Sequence, residues 1–240
     1  MNESQNGIIR RIIFAITFVL VFHGVLFSQE DSLRKSTFYI GLWPSVSTNG
    51  KDAGLYTNRF SFNLLGANSL NETGFSFCGL FNVIEGNATG VQISGLVNRI
   101  MKDGSGFAVG GLFNVTSTYN GLQISFINKA EQLRGLQIGV ANSSSIMRGM
   151  QAGFTNDSDE MNGFQLGFIN MSEIQQNGLQ IGLANVNKKV NGFQIGMLNI
   201  ADSCKYVIGI VNIFKNGRKD VALTYDEMRN VMANVECVSK

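Results

Sequence analysis

Gly178–Asn185 reads GLQIGLAN, and variants of that phrase recur along most of the chain. Earlier copies are GFSFCGLFN from Gly74, GVQISGLVN from Gly90, GFAVGGLFN from Gly106, GLQISFIN from Gly121, GLQIGVAN from Gly135, GMQAGFTN from Gly149 and GFQLGFIN from Gly163. GFQIGMLN from Gly192 and KYVIGIVN from Lys205 follow. The closing residues are Asn82, Asn98, Asn114, Asn128, Asn142, Asn156, Asn170, Asn185, Asn199 and Asn212, spaced 13 to 16 apart. Tandem copies at a near-constant period define a repeat architecture, in which each unit is stabilised by stacking on its neighbours.

Within a copy the apolar residues alternate with small or polar ones, as Leu179, Ile181 and Leu183 do against Gln180, Gly182 and Ala184. That is the period of a strand. About six polar residues separate copies, often with one apolar residue two places before the next Gly: Leu133, Met147, Met161, Val190. Each repeat is thus a strand plus a return, with three or four apolar side chains expected inside. A Gly stands three places before the closing Asn in every copy but one, where Ser125 replaces it, which predicts a close backbone approach or a bend. The first three copies carry one extra residue before that Gly, a sign of a bulge or wider coil at one end.

Two architectures accommodate a strand every 14 residues or so. An up-and-down barrel reverses at each strand, so its returns alternate between two kinds. Here they show no odd–even alternation, which favours an all-β parallel solenoid of about ten 14–16-residue coils over an antiparallel barrel. Strands of eight residues are also short for a membrane barrel, and one Trp with five Tyr cannot furnish two aromatic girdles. In a solenoid the ten Asn residues stack as a ladder. Gln92, Gln123, Gln137, Gln151, Gln165, Gln180 and Gln194 form a second row, expected on the opposite side of the strand as a solvated or self-paired ladder or a contact stripe.

The flanks give the domain plan. Arg10 and Arg11 precede an apolar run from Ile12 to Phe27, a signal-peptide pattern, so residues 1–28 are assigned to export. Residues 29–73 form an N-terminal cap, in which the runs 37–43 and 55–65 are expected to pair as a hairpin; FSFNLLGAN, ending at Asn68, looks like a degraded first copy. Residues 74–212 are the repeat domain. Residues 213–240 form a C-terminal cap, with a last strand at 221–225 and an amphipathic helix carrying Met228, Val231, Met232 and Val235 on one face.

Composition narrows the chemistry. The net charge of +2 is too small and too scattered for a nucleic-acid face. The one His, His23, lies in the export segment, so no His-based catalysis or ligation is expected of the mature chain. Cys78, Cys204 and Cys237 lack zinc spacing and allow at most one internal disulfide, for which Cys204 and Cys237 are the candidates. Asp157, Asp159 and Glu160 read as a solvated turn rather than a calcium site. No cofactor, metal or catalytic residue is assigned, and the chain is expected not to be an enzyme.

The tandem GLQIGLAN phrase, the closing IGIVNIFKNG at 208–217 and the YDE at 225–227 resemble the surface-repeat proteins of spirochaetes and Bacteroidetes, over about residues 55–226. The resemblance implies a bacterial envelope or cell-surface location and no known activity. The expectation is an exported, non-catalytic repeat protein of the cell surface, outer membrane or periplasm, with a structural role or contact with an envelope or host macromolecule. An outer-membrane β-barrel, channel or anchor, is the alternative, and membrane association is compatible with both.

Overall fold

The computed structural model describes residues 34–203, 205–215, 218–225 and 231–238, the last two segments in backbone only. Residues 1–28, expected from sequence to direct export, Met228 of the expected helix, Cys204 and the side chain of Cys237 lie outside what it describes, and with them the disulfide expectation.

The chain winds as a parallel β-solenoid, not a barrel. Strand β1 (Arg34–Trp43) is followed by a short β2 (Val46–Ser47), then β3 (Tyr56–Asn63), β4 (Gly66–Ser69), β5 (Asn71–Cys78), β6 (Phe81–Ile84) and β7 (Ala88–Ser94). Longer stretches follow: β8 (Val97–Gly110), β9 (Phe113–Ile124), β10 (Ile127–Val190), β11 (Phe193–Ala201) and β12 (Tyr206–Phe214). Drawn straight, the 64 residues of β10 would span roughly 210 Å at 3.3 Å per residue. Instead they coil, bringing Asn128 against Asn142, Asn142 against Asn156 and Asn156 against Asn170. Successive coils pair in parallel with repeat positions in register: Gln180 beside Gln194, Gly182 beside Gly196, Asn185 beside Asn199.

Two details of the caps differ from expectation. The runs expected as an N-terminal hairpin instead pair in parallel, Arg34 with Tyr56 through Gly41 with Asn63, because the intervening segment is long enough to carry the chain once around. That segment holds a 3-10 turn at Gly50–Leu55, which buries Ala53. At the other end β13 (Arg218–Tyr225) pairs antiparallel with β14 (Val231–Val238), and β14 also meets β12 at Tyr206 and Val207. Val231–Val238 is therefore strand where a helix was expected. Its β-branched Val231, Val235 and Val238 favour a pleated backbone, and the edge of the last coil offers unpaired amides to complete.

Four rows of side chains point inward, and they fill the interior in a compensating way. One row includes Glu72, Ala88, Gly104, Tyr119, Leu133, Met147 and Met161; across the coil another includes Ser69, Ile84, Ile100, Thr116, Ala130, Ser144 and Ser158. Where one is large the other is small, as in Ile100 with Gly104, Ala130 with Leu133 and Ser144 with Met147. Apart from Ala108, the buried apolar cluster from Ile84 to Met161 lies in these rows. The two remaining rows are polar.

Candidate functional site

The first polar row is the Asn ladder. Asn98 donates Nδ2–H to Oδ1 of Asn114 at 3.1 Å, Asn114 donates to Asn128 at 3.0 Å, and the same bond repeats through Asn142, Asn156, Asn170, Asn185 and Asn199 to Asn212. The second Nδ2–H of each donates to a main-chain carbonyl of the following coil, as Asn142 does to Ala152 and Asn156 to Leu166, both at 2.9 Å. Only the amide nitrogen can serve both acceptors, so every rung faces the same way. Asn82 is in register with Asn98, but its amide donates to Ser76 Oγ instead. In the degraded copy Ala67, not Asn68, holds the ladder position, because Ala67 is the residue paired with Asn82.

These side chains explain the glycine three places before each Asn from Asn142 onward; at Gly79, Gly95 and Gly111 a Cβ would instead meet the main-chain carbonyl of the preceding coil. A Cβ on Gly167 would lie 2.6 Å from Asn156 Nδ2 and 3.1 Å from Asn170 Oδ1, and would also meet the Gly153 carbonyl. The ladder occupies the volume a side chain would need. Ser125 fits as the exception because its hydroxyl joins the network, donating to Asn128 Oδ1 at 2.8 Å. The glycine that opens each copy has a different reason: Gly178 has φ +131 and its Cβ would meet the Gly163 carbonyl. The extra residue of the early copies widens the coil, and Cys78, Ser94 and Gly110 point inward there.

The second polar row is the Gln ladder, and it also lies inside. Gln137 donates to Gln123 at 2.8 Å, Gln151 to Gln137 at 2.9 Å, Gln165 to Gln151 at 2.8 Å, Gln180 to Gln165 at 2.6 Å and Gln194 to Gln180 at 2.9 Å. Gln92 through Gln194 are fully buried, so the expectation of a contact stripe on this row does not hold. Its rungs donate toward the N-terminus, opposite to those of the Asn ladder. At Ala108, which sits between Gln92 and Gln123 in register, the row is broken, and Gln92 Oε1 and Gln123 Nε2 have no partner. The Tyr119 ring packs there, against the face of Gly104. Burial raises the pKa of its unpartnered hydroxyl.

Sequence reasoning missed Glu72. It is fully buried near the N-terminal end, accepting hydrogen bonds from Ser61 Oγ at 2.8 and 2.9 Å and from Asn58 Nδ2 at 3.1 Å. Burial raises its pKa, and the Ser61 and Asn58 donors oppose that only in part. Its register position gives the one signal: it stands in the inward row, between Asn58 and Ala88.

With Gln and Asn inside, the apolar residues of the same strands face out. Leu183 is 48% exposed, Phe154 51%, Phe168 52%, Met197 54% and Ile210 78%. The inward-facing apolar side chains expected at these positions are therefore on the surface; those two places before the opening Gly, Leu133, Met147, Met161 and Val190, are the buried ones. From the coil of Phe38 to that of Tyr206 the outward residues of this limb are Phe, Leu, Ile, Val, Met and Ala, with none charged; only Thr155, the Trp43 indole and the Tyr206 hydroxyl add a polar side-chain atom. Phe154 stacks on Phe168 with ring centroids 4.8 Å apart, and Phe193 on Tyr206 at 4.7 Å. Charges collect on the other limb, among them Glu85, Lys102, Glu131, Asp159, Glu160, Lys188 and Lys189, all exposed. No group of three or more His, Cys, Asp or Glu among the described residues is placed to hold a metal ion, and Asp157, Asp159 and Glu160 form none.

No family model matches the chain, and comparison with curated proteins and with solved structures gives no match either.

Proposed function

We propose that the chain is an exported, non-catalytic repeat protein of the bacterial cell envelope, related to the surface-repeat proteins it resembles, and that its activity is contact. The observation that carries this reading is the uncharged outer face. Single exposed apolar residues are ordinary, but contiguous apolar patches beyond about 300–600 Å² mark interaction sites. About ten coils at 4.8 Å, each presenting roughly 20 Å of apolar strand and corner, make a face on the order of 1,000 Å². The interior supports the same reading. It is filled from wall to wall by ladders and compensating side chains, so the channel function considered with a barrel has no lumen to use.

Fractionation of producing cells, with protease applied to the intact cell and to opened envelopes, tests the location. Recovery in the envelope is expected. Full recovery in the cytosol with residues 1–28 retained would end the export reading.

A further inference from the structure

Resting on that contact reading, we infer that the uncharged face seats against the hydrocarbon of a phospholipid leaflet. The solenoid then lies on a membrane rather than against a protein.

Hydrogen-bonding capacity decides between the two kinds of partner. Protein interfaces carry about one hydrogen bond per 100–200 Å². A face on the order of 1,000 Å² would therefore present roughly five to ten polar groups to a protein partner. Its outward side chains offer Thr155 and, on the first and last coils, Trp43 and Tyr206. Nothing along its length fixes a register against a second protein surface, whereas fluid acyl chains need none. The main-chain amides are no obstacle, because each coil's are taken up by the coils above and below.

The edge of the face carries the charge that a leaflet calls for. The exposed positions immediately before the opening Gly include Arg134, Arg148, Asn162, Asn177 and Asn191, and no acidic residue precedes any opening Gly. A basic and amide-bearing border beside an apolar surface suits anionic lipid headgroups.

The chain's single Trp makes the test direct. Trp43 is 45% exposed on this face, its ring edge-on to Phe81 at 5.1 Å. The full chain is reconstituted with vesicles of neutral phosphatidylcholine, or with added phosphatidylglycerol, and with brominated acyl chains as quencher. Floatation with the vesicles and quenching of Trp43 are expected. Probes moved along the face, Phe126→Trp or Phe168→Trp in a Trp43→Phe background, are expected to be quenched too. Phe154→Asp with Phe168→Asp should lower vesicle partition at least tenfold while circular dichroism stays that of the parent, since both side chains point outward. Arg134→Gln with Arg148→Gln should reduce the preference for anionic vesicles about fivefold per charge.

Floatation with Phe126→Trp and Phe168→Trp unquenched would mean attachment through another part of the chain, and the inference fails. A discrete dimer that ignores vesicles and is broken by the two Asp substitutions would assign the face to a second copy. That outcome overturns the lipid inference while leaving the contact reading standing. A soluble monomer that neither floats nor self-associates ends both.

Discussion

At the scale of single residues, the Asn ladder tolerates little because each amide nitrogen from Asn98 to Asn199 serves both the next Asn and a main-chain carbonyl. Asn156→Leu removes two donors and one acceptor, leaving Asn142 Nδ2, Leu166 O and Asn170 Oδ1 without their partner. At about 1–3 kcal/mol per buried orphan, a loss of at least that much is expected in chemical denaturation. Unchanged stability would contradict a paired ladder. Gly167→Val should be worse, because its side chain has no space beside Asn156 and Asn170, and increased protease sensitivity around that coil is the readout. Glu72 supplies a pH dependence. Its folded pKa is raised above the unfolded value, so its contribution to stability is fully present below the usual carboxylate range. It is lost as pH rises toward the folded value, where the unfolded chain has already shed the proton that the fold retains. Melting temperature should fall over that interval, and Glu72→Gln should flatten the fall.

At the scale of one strand and its neighbours, the break at Ala108 is the informative element. Ala108→Gln alone should destabilise, since the Tyr119 ring occupies the region a longer side chain would enter. Combined with Tyr119→Leu, which restores the residue type of Leu133 one coil on, it should join Gln92 to Gln123. The double variant is then expected to exceed the sum of its two single effects by about 1 kcal/mol or more in a double-mutant cycle. This element scale also shows what was legible beforehand. Repeat period, parallel stacking and the Asn positions could be read from GLQIGLAN and its copies. Which side of the strand faced inward could not, because alternation sorts residues onto two faces without saying which is buried, and the usual apolar-inward rule points the wrong way here. A cue did exist. Gln recurs unchanged at its position from Gln123 to Gln194, while the residue after it varies among Ile, Ala and Leu with no compensation, as expected of a row that need not pack. The caps were misread for another reason: hairpin, parallel coil and helix are chosen there by which open edge lies nearest, and that is a tertiary fact absent from local patterns.

At the scale of the whole molecule, stability is a sum of coils and their contacts, so whole coils are the unit of change. Removing the 14 residues 149–162 joins Arg148 to Gly163 and returns Gln165, Asn170 and the opening glycine to register. That deletion should fold, with a β-rich circular dichroism spectrum and cooperative melting. Deleting only 149–155 shifts every row and should not. The two amide ladders run in opposite senses, one donating toward each end of the stack. Each is a wire of aligned dipoles, and side by side they are poled against each other, so their fields largely cancel. A long α-helix gathers partial charge at its tips; this stack does not, and coils can be added without an electrical penalty that grows with length.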